Sequence, residues 1–377
     1  MDLSSVSPEH GGQGRSEWIA MNITSAADRE LCEDKPRVAD ARMPVKLAKA
    51  DLLALSQVNS WLSIYHIMLE WGLIILAARL CQDLWNPAIY VAAVVFIGAR
   101  QHALLILMHD GTHYRLFKNR CLNDWITEVF LAWPHLVTMR TYRQNHLAHH
   151  NSVNTDEDPD WLRKKHNPDW QFPQSLMNLL YMFLRDLIGL GGINLIRLAG
   201  SFTSEERAPG IAFTRVRRAF YFGAIGIIVM AGGEKALLFY WVVPYFTWLI
   251  FVMHLRSIAE HFAINRTGQY GQTRTTKAGL LAQIFVAPKN VNYHIEHHFF
   301  PSVPFFRLPR LHELLQSNAE FAGTAHITHS YFDVIRECLG WTGRAHPVRH
   351  RPKAALISRI VQIQSPDEPV VVAGRMT

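Results

Sequence analysis

Cysteine is scarce in this chain. Four occur in 377 residues, at positions 32, 81, 121 and 338, with no C-x-x-C pair among them. That pattern leaves no thiolate set for a zinc ribbon or an iron–sulfur cluster and gives no support to a disulfide framework. Reduced, unpaired thiols in an intracellular setting are expected. A dinucleotide fingerprint is also missing. The net charge is +7, but no basic stretch is interleaved with a recognisable nucleic-acid motif, so an anionic membrane surface is the expected partner and nucleic acid is not. The N-terminus lacks a basic start followed by an apolar core and a small-residue cleavage site, so no signal peptide is expected.

Histidine and long apolar runs are abundant by contrast. Mean hydropathy is near zero, an average over very apolar stretches and strongly basic polar ones. Trp61–Leu80 and Ile89–Met108 each approach the roughly 20 residues that cross a bilayer. Residues 219–233 are shorter, but pair with residues 236–254 as a second hairpin. Glu70 and His66 interrupt the first span and should face other helices. Arg100 and His102 lie within the second, as a polar inlet or as paired structural groups. The short turns Cys81–Pro87 and Gly232–Lys235 hold one lysine between them. Nearly all other Lys and Arg fall on the opposite side, which the positive-inside rule makes cytoplasmic, with both termini there. Residues 1–43 read as a disordered polar tail, 44–342 as the membrane domain and 343–377 as a C-terminal tail. The fold class expected is all-α and integral to the membrane, with four spans in two hairpins under a cytoplasmic helical cap.

Three histidine clusters fall on that one side: His109-Asp-Gly-Thr-His113, His146-Leu-Ala-His149-His150 and His294-Ile-Glu-His297-His298. Residues four apart share a helix face one turn apart, so each cluster aims imidazoles at one target. Neutral imidazole ligates iron, copper, zinc and nickel. Eight histidines exceed what one tetrahedral zinc uses and suit two metals. Asp110 and Glu296, inside the boxes, and Glu260 are candidate acceptors for the rings' second N–H groups. The acidic run Asp156, Glu157, Asp158 and Asp160 is as compatible with a solvated loop. Arg140 and Arg143 precede the second box and could meet an acidic substrate head, an electron donor or lipid phosphate.

The order of the boxes and their contexts resemble the integral-membrane fatty acid desaturase superfamily. The contexts are Tyr114 after the first box, Asn145 before the second with Asp-Pro-Asp at 158–160 after it, and Asn292-Tyr293 through Pro301 around the third. The likeness covers roughly Leu80–Leu315. It implies a non-haem di-iron centre that activates dioxygen to remove hydrogen from an unactivated carbon. It implies a further ligand between the second and third boxes, for which His261 is placed suitably and His254 is the fallback. Where acyl-CoA members carry an asparagine one turn before that ligand, this chain has Ser257, so the water-bridged ligand is not carried over. Electrons must come from elsewhere, because no haem-binding His-Pro-Gly-Gly stretch is present. A separate ferredoxin, or a cytochrome with its reductase, is implied. The substrate expected is a fatty acyl chain or, as in a bacterial branch of the superfamily, a small amphiphilic metabolite of the dihydrorhizobitoxine type. Location in the bacterial inner membrane goes with that branch. A hydroxylase or ketolase acting on a lipid or carotenoid would use the same ligands. A membrane transporter or sensor for divalent metal is the remaining alternative, and it should place ligands at mid-membrane.

Overall fold

The computed structural model describes residues 47–192, 211–264 and 270–341. The two expected tails, 1–43 and 343–377, lie outside the described residues. Among those described, three helical stretches are long and apolar enough to cross a membrane: Lys49–Asp83, Pro87–Thr112 and Glu234–His261. The first divides into α1 (Lys49–Leu55) and α2 (Ser60–Asp83), separated by a break at residues 57–59. Asn59 caps α2 by accepting from the Leu62 amide at 3.1 Å. The next helix, α3 (Pro87–Thr112), begins with Asn86 accepting from Ile89 at 3.0 Å and with proline in its first turn, where its missing N–H leaves no bond unmade.

The middle helix of the fold is α3. In its apolar window 72% of the residues are buried inside the protein, against 22% in each of the other two stretches. It packs on α2 and on α9 (Glu234–His261), and Gly98 permits the second approach, since a Cβ there would come within 2.7 Å of the Trp248 Cβ. Two stretches of α9, Leu238–Val242 and Tyr245–Leu249, are π-helical. Before α9 comes α8 (Ile211–Met230), joined to it across Gly232, whose φ of +62° is one that glycine adopts without strain.

The ionisable groups expected to turn inward do so. Glu70 is buried and bridges Arg100 at 3.2 Å and Lys289 at 2.6 Å, and Lys289 also meets His66 Nδ1 at 2.8 Å. Arg100 is therefore one of the paired structural groups. Its neighbour His102 is not paired.

The remaining described elements are shorter helices. They are α4 (Arg120–Thr127, continued by a π turn and a 3-10 turn to His135), α5 (Met139–Ser152), α6 (Pro159–Lys164), α7 (Leu176–Leu187), α10 (Leu280–Phe285), α11 (His294–Phe299), α12 (Leu308–Gln316), α13 (Ala319–Thr324) and α14 (Tyr331–Cys338). Leu55 of α1 belongs to one buried apolar cluster with Ile295 and Phe300. One feature departs from an all-helical expectation. Thr275–Thr276 (β1) pairs in parallel with Ile327–Thr328 (β2). Two residues per strand are too short for an alternating pattern to show in sequence. The pair fastens the third box, because Thr275 Oγ1 donates to Glu296 and accepts from the Ile295 amide. Among the described residues, Cys81, Cys121 and Cys338 are in no disulfide.

Candidate metal centre

Four elements bring the histidines together: the C-terminal end of α3, the helix α5, the last residue of α9 and the helix α11. A helix ends with carbonyls that have no partner inside it. At the end of α3 side chains supply the partners. Arg143 donates to the Gly111 and Thr112 carbonyls at 3.1 and 2.9 Å, and Asn123 donates to Gly111 at 2.8 Å. Arg143 is held in turn by Asp124 at 2.6 Å, so the first two boxes are tied through one buried ion pair. The guanidinium considered for substrate or lipid contact is thus engaged inside the fold. Arg140 lies over the Phe213 ring at 4.1 Å, and its backbone N–H, like that of Met139, goes to Glu128.

Gly111 makes this convergence possible. A Cβ at that position would meet Thr127 Oγ1 and lie 2.7 Å from Thr127 Cγ2. Gly111→Ala is expected to cost about 1–3 kcal/mol through overpacking and to displace His109 and His113. A lower melting temperature together with a lower metal content of the purified protein is the expected result, and an unchanged melting temperature would show that the contact relaxes freely.

Nine imidazoles sort into two groups. His109, His113, His146, His150 and His297 form one, with ring nitrogens within 4.8 Å of one another. His149, His261 and His298 form the other with the same spacing, and His294 joins it through His261 at 2.8 Å and His298 at 3.0 Å. Each H-x2-H-H box serves both groups. Its first and third histidines, one turn apart, enter one group and its middle histidine enters the other. In the second box His146 and His150 join the first group and His149 the second; in the third box His297 joins the first group, and His294 and His298 the second. His261 lies in the site. His254, the fallback, does not, being bonded to Asp186 at 2.7 Å and stacked near Trp170.

The tautomers decide what this site can hold. His149 Nδ1 lies 2.9 Å from the buried Asp158 carboxylate, which can only accept, so the proton sits on Nδ1. His261 Nδ1 faces the Gln272 carbonyl at 3.4 Å, and His294 Nδ1 faces Glu260 at 3.4 Å. With their protons held there, the Nε2 atoms of all three present bare lone pairs. Yet His149 Nε2 and His261 Nε2 approach to 3.2 Å, and His261 and His294 to 2.8 Å. Facing lone pairs at such distances repel unless a cation lies among them. Burial first, and then neighbouring imidazoles, push His146, His150, His294, His297 and His298 well below their usual pKa. Burial and the charges of Arg115 and Arg143 take His113 down to about 3. These rings are neutral at pH 7 and free to ligate. The donor set fits a nitrogen-binding transition metal in each group.

The carboxylates divide differently from the sequence reading. Glu260 faces His294 and is itself held by Arg256 at 2.5 Å. Asp110 lies 3.7 Å from His109 Nδ1, and its other oxygen accepts the Phe305 amide at 2.8 Å. Glu296, placed inside its box, bonds Thr275 and His312 at 2.6 and 2.5 Å. The orienting acid that the sequence left undecided is Asp158; its signal was the Asp-Pro-Asp that follows the second box. Asp160 and Asp156 pair with Lys164 and Lys165. Lys164 also donates to Ser257 at 2.7 Å, so an ammonium reaches the position one turn before His261.

Apolar helices that end in two groups of imidazoles define a class: membrane metalloproteins whose site is built almost wholly of histidine. Within that class the chain belongs to the fatty acid desaturase family, whose profile matches residues 85–330. It is an oxidoreductase, a desaturase or closely related oxidase. It is similar to the dihydrorhizobitoxine desaturase of Bradyrhizobium elkanii, 25% identical over 66% of this chain and 73% of that one. It is similar also to an sn-1 acyl-lipid omega-3 desaturase (ferredoxin) of Synechocystis sp., at 26% over 67% and 75%. A zeaxanthin 4-ketolase of Chlamydomonas reinhardtii is 24% identical over 61% of this chain and 46% of the relative.

Proposed function

We propose that this protein is an oxygen-dependent desaturase with a di-iron centre. The nine histidines would hold the metals, His109, His113, His146, His150 and His297 on one side and His149, His261, His294 and His298 on the other. The observation that carries this reading is the set of Nε2 lone pairs converging at distances that require a cation. When bound, the irons supply the oxidising power for removing hydrogen from an unactivated carbon. The chain's own part is to hold the rings by Asp158 and Glu260, to exclude bulk water, and to fix one C–H bond beside the site. In balance, the substrate loses two hydrogens to become an alkene. Two electrons and two protons come from outside, and dioxygen leaves as two waters. An external ferredoxin, or a cytochrome with its reductase, is the implied source, and one relative's name contains ferredoxin.

We read residues 44–342 as the membrane domain, with α8 as a fourth span paired with α9 and with the histidine sites at the cytoplasmic ends in a bacterial inner membrane. The exposed apolar side chains of Ile225, Ile227, Val229 and Met230 support this place for α8. Ligands at helix ends rather than at mid-span count against a metal transporter. The substrate is a fatty acyl chain or a small amphiphile, the second favoured by the dihydrorhizobitoxine desaturase among the relatives. A ketolase or hydroxylase outcome is the second reading and rests on the zeaxanthin 4-ketolase likeness.

Metal analysis of the purified protein should give about two irons per chain, with oxygen taken up on reduction. Tightly held zinc and no oxygen uptake would overturn the proposal. Mass spectrometry of extracts from cells that also express a reducing system separates the two outcomes: loss of two hydrogens for desaturation, gain of one oxygen for hydroxylation.

A further inference from the structure

Between β1 and α11 the chain leaves the level of the histidines and comes back to it. The two ends of this excursion meet. The Thr276 amide donates to the Asn292 carbonyl at 3.1 Å, and Asn292 Nδ2 donates to the Thr276 carbonyl at 2.9 Å. His294, of the second histidine group, follows two residues later. The enclosed residues, 277–291, carry α10 along α3, to which its backbone lies close. Ala278 on the way in, and Ala287 and Val291 on the way back, pack with Ile106. The far end reaches Arg100 and Phe96: Arg100 Nη2 donates to the Ile284 carbonyl, and the Phe96 and Phe285 rings stand 6.4 Å apart.

Three helices are met there near half their length. Trp248 Nε1 of α9 donates to the Phe285 carbonyl at 3.2 Å, and Lys289 Nζ reaches Glu70 of α2 at 2.6 Å. Counted from the ends nearer the histidines, Arg100 is twelve residues before Thr112, Trp248 thirteen before His261 and Glu70 ten after Ser60. Those steps amount to about 15–20 Å, half or more of the hydrocarbon thickness of a bilayer. The carbonyls that end α10 have no partner within so short a helix. In hydrocarbon such groups are tolerated only where protein satisfies them. Arg100 and Trp248 do so here, and Arg100 and Lys289 share Glu70 rather than face lipid. The exposed side chains of α10 are Leu280, Leu281 and Gln283. Both leucines are 72% exposed, while Gln283 bonds back to the Ala278 carbonyl at 3.0 Å.

We propose that residues 277–291 form a re-entrant loop, which enters the bilayer from the side of the histidines, reaches its middle and returns without crossing. Leu280 and Leu281 are its surface for lipid acyl chains. The partner is membrane hydrocarbon because groups from three helices hold the loop at half their depth. This rests on the reading of α2, α3 and α9 as spans. It accounts for a third box on the same side as the first two after a further apolar segment. The test uses the full-length protein in nanodiscs of dioleoylphosphatidylcholine, with p-benzoylphenylalanine placed singly at Leu281, Met68 or Glu157. Met68 is exposed on α2 near the level of Glu70, and Glu157 is exposed in the loop before α6. On irradiation, positions 281 and 68 should give equal yields of a peptide heavier by one phospholipid, joined through an acyl carbon, and position 157 none. An unchanged melting temperature shows that each variant is folded, and Leu280 replaces Leu281 where that check fails. A lipid adduct at Met68 without one at Leu281 would overturn the proposal. A protein dimer crosslinked through Leu281 would do the same, because a second copy would then cover the leucines. No adduct at either position would overturn the span reading itself, and the depth of the loop with it.

Discussion

Replacing His297 with alanine should abolish turnover and reduce the metal bound per chain from about two to about one. His297 is buried and stands among His109, His113, His146 and His150, with His150 Nε2 at 3.0 Å. Losing a ligand removes a metal–nitrogen bond outright, so the fall in affinity should exceed the ~10–100-fold that follows loss of an outer partner. His298→Ala should have the same effect through the other group, although the two residues are adjacent in sequence. The reason is the division of each box between the two groups: neighbouring histidines leave the helix in different directions and reach different targets. His254→Ala, which removes a ring bonded to Asp186, should leave the metal content unchanged. The measurement is metal per chain by mass spectrometry beside turnover, on protein recovered from the membrane fraction. Full activity with two metals in His297→Ala would remove it from the ligand set.

Much of this site was legible because helix periodicity is a local property. The H-x3-H and H-x2-H-H spacings put pairs of rings on one face, and the helices that lead up to His109 and to His261 end at the same place in the fold. The fate of each middle histidine was not legible. It depends on how α5 and α11 are rotated against each other, and that is set by contacts distant in sequence, such as Glu128 with the amides of Met139 and Arg140, and Thr275 with Glu296. Arg143 illustrates the same limit. A basic residue beside a box looks like a surface contact until Asp124 and the open carbonyls at the end of α3 are seen to claim it. Glu296 stands between ligands in sequence, but one helical position rotates its carboxylate onto His312. The sequence leaves His102 open as part of a polar inlet or as a paired structural group. That Arg100 beside it would find Glu70 while His102 would find no partner follows from which helices flank α3 on each face.

The second large effect is expected at a residue that touches no metal. Asp158→Ala should weaken metal binding at the group of His149, His261, His294 and His298 by about 10–100-fold, and turnover should fall in parallel when metal is limiting. Asp158 is buried, and one oxygen accepts both from His149 Nδ1 and from the Asn154 amide, each at 2.9 Å. Its other oxygen caps α6 by accepting from the Asp160 amide at 2.8 Å. Without the carboxylate, the His149 proton is no longer held on Nδ1, and the tautomer with hydrogen on Nε2 cannot ligate. The lost cap should itself cost about 1 kcal/mol of stability, so a structural effect must be told apart from an effect on the ring. Asp158→Asn does so, because its single oxygen can keep the cap of α6 while its NH2 group is turned to His149 Nδ1 and favours the tautomer with hydrogen on Nε2. It should melt closer to wild type than Asp158→Ala and still bind metal less tightly. Excess iron should restore most of the turnover of both variants if the defect is in affinity. Glu157→Ala, changed at the exposed neighbour, should behave as wild type. Wild-type metal affinity in Asp158→Ala would mean that Asp158 serves the fold of the loop alone, and that His149 keeps its tautomer by other means.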